Sequence, residues 1–312
     1  MRFAVLFPGQ GSQQVGMGEE LFEARPDLLG SIADDLLGWS LRDVCLEGPE
    51  SELTRTDRAQ PALYAVSYAL WDEFSQFLGH AKPSAGAGHS LGEYTALAAA
   101  GVFDFVTGLR VVADRGRAMA DAATRQRSGM AALLGCNLET AEAIARTRRD
   151  EGGRLWVANV NAPGQIVLAG AEEDLEWLAA NGAELGARRV TPLKVAGAFH
   201  SPLMASATAE LRETLHTVTP ALSSFPVWAN VTARPSTLSE VRDLLARQVE
   251  SPVRFSESLG DMAGTVDAFV HIGPGEVTAG MARRSTSGRE VLVVNDLDSA
   301  AAVADRLQQS IG

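Results

Sequence analysis

Residues 86–94 read Gly-Ala-Gly-His-Ser-Leu-Gly-Glu-Tyr, which sets Ser90 between Gly88 and Gly92 in a G-x-S-x-G pattern. This spacing suits a nucleophile on a tight strand-to-helix turn, where the flanking glycines let neighbouring elements close in. A helix starting just after the serine leaves free N–H groups to face a developing oxyanion. Such a serine needs a base, and the chain has five histidines. His200 directly precedes Ser201-Pro202, an N-cap and first-turn pair that starts a helix. A histidine at a helix start is held toward its neutral, proton-accepting form. His216 falls late in an amphipathic helix and His271 inside an apolar run, which gives both structural roles, and His80 sits in a loop. His89 adjoins Ser90 and should leave the turn in another direction.

A second turn, "FPGQGSQ" at 7–13, follows an apolar run. It lacks G-K-[ST], and Gln14 breaks the dinucleotide pattern that Gly9 and Gly11 begin. It is either a plain tight turn or the source of one backbone N–H for an oxyanion.

The elements that must hold these residues follow from periodicity and punctuation. The N-terminal run 2–7 reads as a buried strand. Residues 60–78, the stretch after Ser90, and 106–123 read as helices, with a Gly- and Pro-punctuated loop leading up to the serine. The pattern changes near residue 129. Strands at 129–135, 154–160, 165–170 and 188–195 alternate with helices at 137–150 and 171–186 in β-α-β-β-α-β order, the ferredoxin-like signature. Afterwards come a helix from 205, a strand near 225–231, a helix at 238–250 and strands at 268–273 and 290–296. The expected fold is α/β: an α/β-hydrolase-like core with a parallel sheet and a nucleophile elbow, plus an inserted ferredoxin-like subdomain. The expected domains are 1–128 with 196–312 for the core, and 129–195 for the insertion.

The chain has 312 residues, enough for a sizeable core, with 46% hydrophobic and 21% charged residues. A net charge of −12 argues against nucleic-acid or anionic-membrane binding, and an acidic partner would need a local basic patch. Two cysteines outside any C-x-x-C give no metal or disulfide signal. The N-terminal run is too short for a signal sequence and no run of about 18 apolar residues occurs. The expectation is a cytoplasmic protein that uses no metal.

The stretches "FPGQGSQ", "TDRAQPAL", "GHSLGEYTAL", "RGRAM", "NVNAPGQIVLAG", "GAFHSPLM", "RQVESPVRF" and "IGPGEV" run in order from residue 7 to about 277. Together they resemble the malonyl-CoA:acyl carrier protein transacylases of fatty-acid synthesis and the acyltransferase domains of polyketide synthases. The resemblance implies that Ser90 attacks the malonyl thioester with His200 as base. A carrier-borne phosphopantetheine thiol then takes the malonyl group. It puts the oxyanion on the N–H groups of Gln10 and Leu91, one such donor being worth about 3–4 kcal/mol of barrier. It orients His200 through the backbone carbonyl of Gln248 rather than a carboxylate, so that Gln248→Ala should leave activity largely intact if only the carbonyl matters. Arg115 would pair with the malonyl carboxylate, while Arg117, about 200° round the helix, faces elsewhere.

Phe199 would crowd an α-methyl branch, worth only about 1–3 kcal/mol. Asn159, Asn161 and His89 join the substrate-binding set, although turn roles for the two asparagines fit as well. Gln60 is read as structural. The implied partners are malonyl-CoA and an acyl carrier protein, with no permanently bound cofactor and a monomeric enzyme. Arg188, Arg189, Arg283 and Arg284 are candidates for docking the acidic carrier. An acyl hydrolase, a transferase serving a polyketide carrier or a malonate decarboxylase, and a non-catalytic docking protein are the rival readings. Arg115 disfavours the first, and Ser90, His200 and Arg115 together disfavour the last.

Overall fold

The computed structural model describes residues 1–310. Strand β1 (Phe3–Phe7) is an unbroken apolar run, and all five residues are buried. Its alternation splits them between two cores. Phe3, Val5 and Phe7 join the larger cluster, whereas Ala4 and Leu6 meet Phe255, Leu259 and Met281 on the opposite face. Burial on both faces marks a central parallel strand.

Five short helices follow, α1 to α5 (Glu19–Ala24, Pro26–Leu29, Ser31–Leu37, Leu41–Leu46, Glu50–Leu53), then the long α6 (Thr56–Phe77). Next come β2 (Ala85–Gly88), α7 (Gly92–Ala99) and α8 (Phe105–Thr124). The inserted segment holds β3 (Ser128–Leu134), α9 (Leu138–Asp150), β4 (Leu155–Ala162), β5 (Gln165–Ala171), α10 (Glu172–Asn181) and β6 (Arg189–Pro192). The chain returns through α11 (Ala205–His216), β7 (Val227–Ala229), β8 (Arg234–Pro235), α12 (Val241–Gln248) and α13 (Phe255–Ala263). It finishes with β9 (Ala268–Ile272), α14 (Val277–Ser285), β10 (Glu290–Val294) and α15 (Leu297–Gln309).

The large sheet has the order β10-β9-β1-β2-β7-β8. Its pairs are parallel except the two-residue edge ribbon between β7 and β8. The small sheet has the order β4-β5-β3-β6 with antiparallel pairs throughout, as a ferredoxin-like unit requires. One face of it buries Leu133, Leu155 and Leu168 under α9 and α10. The other face turns Met130, Ala132 and Val167 toward the large core.

The loop expected before Ser90 is in fact β2, a strand of sequence Ala-Gly-Ala-Gly between β1 and β7. Propensity hides it, because Ala and Gly are poor strand formers and tertiary packing decides. Asn159 and Asn161 lie within β4 rather than in its turn. The helices α1–α5, α13, α14 and α15 were not expected from the sequence.

Candidate active site

Three residues separate the end of β2 from the start of α7, and Ser90 is the middle one. Its φ of 53° is left-handed, a conformation that costs a non-glycine residue about 1–3 kcal/mol and persists only where the surroundings enforce it. Asn230, just beyond β7, supplies that enforcement. Its Oδ1 accepts from the Ser90 N–H at 2.8 Å and its Nδ2 donates to the Gly88 carbonyl at 2.8 Å. A Cβ on Gly88 would lie 1.8 Å from the carbonyl carbon of Gly92, so the elbow closes only around glycine.

His200 is also left-handed, with φ 59°. Ser201 begins the 3-10 turn Pro202–Met204 that leads into α11, accepting from the Leu203 N–H. The same hydroxyl donates to the Ala198 carbonyl at 2.6 Å, and the His200 N–H donates to the Val249 carbonyl at 3.0 Å. The His200 Nδ1–H donates to the Gln248 carbonyl at 2.8 Å, which fixes the tautomer. The bare Nε2 then accepts from the Ser90 hydroxyl at 2.8 Å. Burial, with the Arg115 guanidinium second, pushes the His200 pKa down to about 3. Exclusion of water is the leading cause of its neutrality, and a neighbouring cation is the second.

Arg115 projects from α8 into this pair and is 1% exposed. It donates to the Ser90 hydroxyl oxygen at 3.1 Å, to Gln248 Oε1 at 3.0 Å and to Gln60 Oε1 at 2.5 Å. Its guanidinium lies 5.3 Å from the centre of the Tyr94 ring, and its Nε is buried with no partner among the described residues. Burial holds its pKa below the usual arginine value. Arg117 is exposed and pairs with Asp114.

A cavity of about 270 Å3 opens onto Ser90 and is lined by Gln10, Leu91, Arg115, Asn159, Asn161, Phe199 and His200. The N–H groups of Gln10 and Leu91 find no acceptor among the described residues, as free oxyanion donors require. His89 Nε2–H donates to Asn161 Oδ1 at 2.7 Å, and its ring meets Phe255 edge-on. A larger open groove of about 680 Å3 beside α1 is lined by Glu19, Glu20, Glu23 and Glu276. It carries no nucleophile and lies away from this chemistry. His216 and His80 are exposed, and buried His271 bonds to Thr278 and the Gly273 carbonyl.

Two expectations need correction. The Gln248 side chain is not a bystander: its Nε2 donates to the Ser90 carbonyl at 2.9 Å and to Glu93 at 2.7 Å, besides its bond from Arg115. Gln60 is not merely structural, because it orients Arg115. The sequence reading also missed Asn230, Glu93 and Lys194, the last at the cavity mouth. Asn230 carried a usable signal, since it ends a parallel strand, the edge at which such sheets build sites.

A sequence model of the family described as Acyl transferase domain matches residues 5–308. The chain belongs to this acyl transferase family. The malonyl CoA-acyl carrier protein transacylase of Bacillus subtilis is 39% identical to it, covering 95% of this chain and 94% of the relative. The polyketide biosynthesis malonyl CoA-acyl carrier protein transacylase BaeC of Bacillus velezensis is 40% identical, covering 89% and 95%. The solved acyl-carrier-protein-S-malonyltransferase of Bartonella henselae superposes with a TM-score of 0.93 at 37% identity, covering 99% and 100%. A type II polyketide acyl-carrier protein in complex with its malonyl-transacylase provides a chain with TM-score 0.92 at 34% identity, covering 98% and 100%. This acyl transferase thus shares both its sheets with enzymes solved by experiment.

Proposed function

We propose that the protein moves a malonyl group from malonyl-CoA to the phosphopantetheine thiol of an acyl carrier protein, through a malonyl-Ser90 ester. The observation that carries this reading is the buried Arg115 guanidinium donating to Ser90 Oγ. A cation there selects an acyl group that bears its own carboxylate. In the first step His200 takes the serine proton while Oγ attacks the thioester carbonyl. The tetrahedral oxyanion rests on the N–H groups of Gln10 and Leu91. Collapse expels CoA, and the imidazolium returns its proton to the leaving sulfur. In the second step the carrier thiol loses its proton to His200 and attacks the ester, and Ser90 leaves with the proton. Neither step changes oxidation state, so the reaction as written uses no redox partner.

Phe199 restricts branching at the α-carbon, and Asn159, Asn161 and His89 line the approach of the pantetheine arm. Arg284 donates to Gln165 at the cavity mouth at 2.6 Å, and Arg283 on the same helix pairs with Glu276 at 2.9 Å. With Arg188 and Arg189 they supply the local basic surface that an acidic carrier needs. The reading takes the enzyme as a monomer acting in the cytoplasm. The division at 129 and 195 is drawn around the small sheet, whose strands run from Ser128 to Pro192. A fatty-acid carrier is the first reading; a polyketide carrier is the second, favoured by the likeness to BaeC.

Intact-protein mass after mixing with malonyl-CoA, followed by holo carrier protein, tests the reading. The expected result is a malonyl adduct that Ser90→Ala abolishes and the carrier discharges. Arg115→Ala should slow malonyl acylation about 10- to 100-fold and acetyl acylation much less. Loss of the adduct to water at a rate unaffected by carrier would make the protein a hydrolase.

A further inference from the structure

Arg115 is a buried cation, and each direct partner the chain gives it is neutral: Gln60, Gln248 and Ser90. A cation so enclosed calls for a counter-charge. Among the described residues the core holds two buried carboxylates, Glu93 and Asp174. Asp174 pairs with Arg148 in the small subdomain, which leaves Glu93. Glu93 stands in the first turn of α7 and is 2% exposed. Its Oε2 accepts from the Asn230 N–H at 3.0 Å and from Gln248 Nε2 at 2.7 Å. The other end of the Gln248 amide accepts from Arg115 at 3.0 Å. One amide thus bridges carboxylate and guanidinium, and its orientation is forced by acceptors on one side and a cation on the other.

Resting on the malonyl-transfer reading, we propose that Glu93 is the counter-ion of the Arg115 clamp, acting through the Gln248 amide, and that its charge sets how strongly the pocket prefers carboxylated over plain acyl thioesters. Glu93 touches no reacting atom and is a positioning residue. Ionised Glu93 offsets part of the field that Arg115 presents to a substrate carboxylate; neutral Glu93 leaves that field whole. Burial pushes the Glu93 pKa up to about 7, so both states occur in the working range. The charged side chain acting on it is Arg115, from α8. Its helix neighbour Tyr94 is held neutral by burial, burial also lowers the His89 pKa, and His200, pushed down to about 3, stays neutral across this window. Below pH 7 the malonyl-over-acetyl preference should therefore rise, and above it should fall.

The test is single-turnover acylation of Ser90 by malonyl-CoA and by acetyl-CoA, from pH 5.5 to 8.5, in the wild type, Glu93→Gln and Glu93→Ala. Glu93→Gln keeps an acceptor for both donors and removes only the charge. At pH 8 it should lower the malonyl-CoA concentration for half-saturation on the order of tenfold, leave acetyl-CoA unchanged, and abolish the pH dependence of the preference. Glu93→Ala removes the acceptor as well, frees Gln248, and should raise half-saturation for malonyl-CoA. A Glu93→Gln enzyme with the wild-type preference and its pH dependence would overturn the proposal, as would parallel losses in both variants. Should the variants fold poorly, the wild type alone decides, since a preference that is flat across pH 7 also overturns it. Failure of the wild type to form any malonyl-Ser90 adduct would instead sink the malonyl-transfer reading.

Discussion

Gln248 shows how much one residue can carry. Its carbonyl orients His200, and its side-chain amide ties the Ser90 carbonyl, Glu93 and Arg115 together. The expectation that only the carbonyl matters gives way to a sharper one. Gln248→Ala keeps the base in place but unties Arg115 and strands buried donors, each worth about 1–3 kcal/mol. Malonyl acylation should fall at least about tenfold and acetyl acylation less, as measured by release of CoA in a single turnover. Wild-type rates on both substrates would return the side chain to a passive role. The pairing of Ser90 with His200 was legible from sequence because both sit in local turn signatures. The Gln248 side chain was not, because its partners lie on α7, α8 and the segment after β7, brought together only by packing.

At the scale of elements, the elbow depends on β2 and α7 approaching more closely than side chains allow. Gly88→Ala would drive a Cβ to 1.8 Å from the Gly92 carbonyl carbon, and that atom is backbone and cannot rotate aside. Overpacking of this kind typically costs about 1–3 kcal/mol and often more. The expected outcome is a markedly lower Tm or insoluble protein, with the Ser90 adduct lost in whatever remains folded. An unshifted Tm would mean that the elbow is looser than described. Gly116 in the middle of α8 has a similar origin: a Cβ there would meet the Thr56 carbonyl at 2.9 Å. That close approach of α8 to the start of α6 is what aims Arg115 at Gln60.

For the whole molecule, burial of titratable groups links stability to pH. His200 and His271 are pushed down from 6.5 to about 3 and about 4. The unfolded chain takes up protons near pH 6.5 that the fold refuses, so their contribution is full above that pH and is lost as the pH falls toward 4. Glu93 acts oppositely: its carboxyl, raised from 4.5 to about 7, makes the fold relatively more stable as the pH falls through that range. Two histidines outweigh one carboxyl. Calorimetry from pH 7.5 to 4.5 should show a falling Tm, and a steeper fall in Glu93→Gln. A flat profile would contradict the deep burial of both rings.

What the sequence determined by itself is the local chemistry and the order of elements. The G-x-S-x-G turn, the His-Ser-Pro helix start, the unbroken run of β1 and the β-α-β-β-α-β order are short-range patterns, written within a few residues of one another. What only the tertiary structure decided is the second layer of the site. The strand Ala85–Gly88 is set by its neighbours β1 and β7 rather than by its own propensity. The Glu93–Gln248–Arg115 chain and the Asn230 lock join residues separated by up to 155 positions. Their side chains are unremarkable in sequence, and burial gives them their force by removing the water that would otherwise satisfy and screen them.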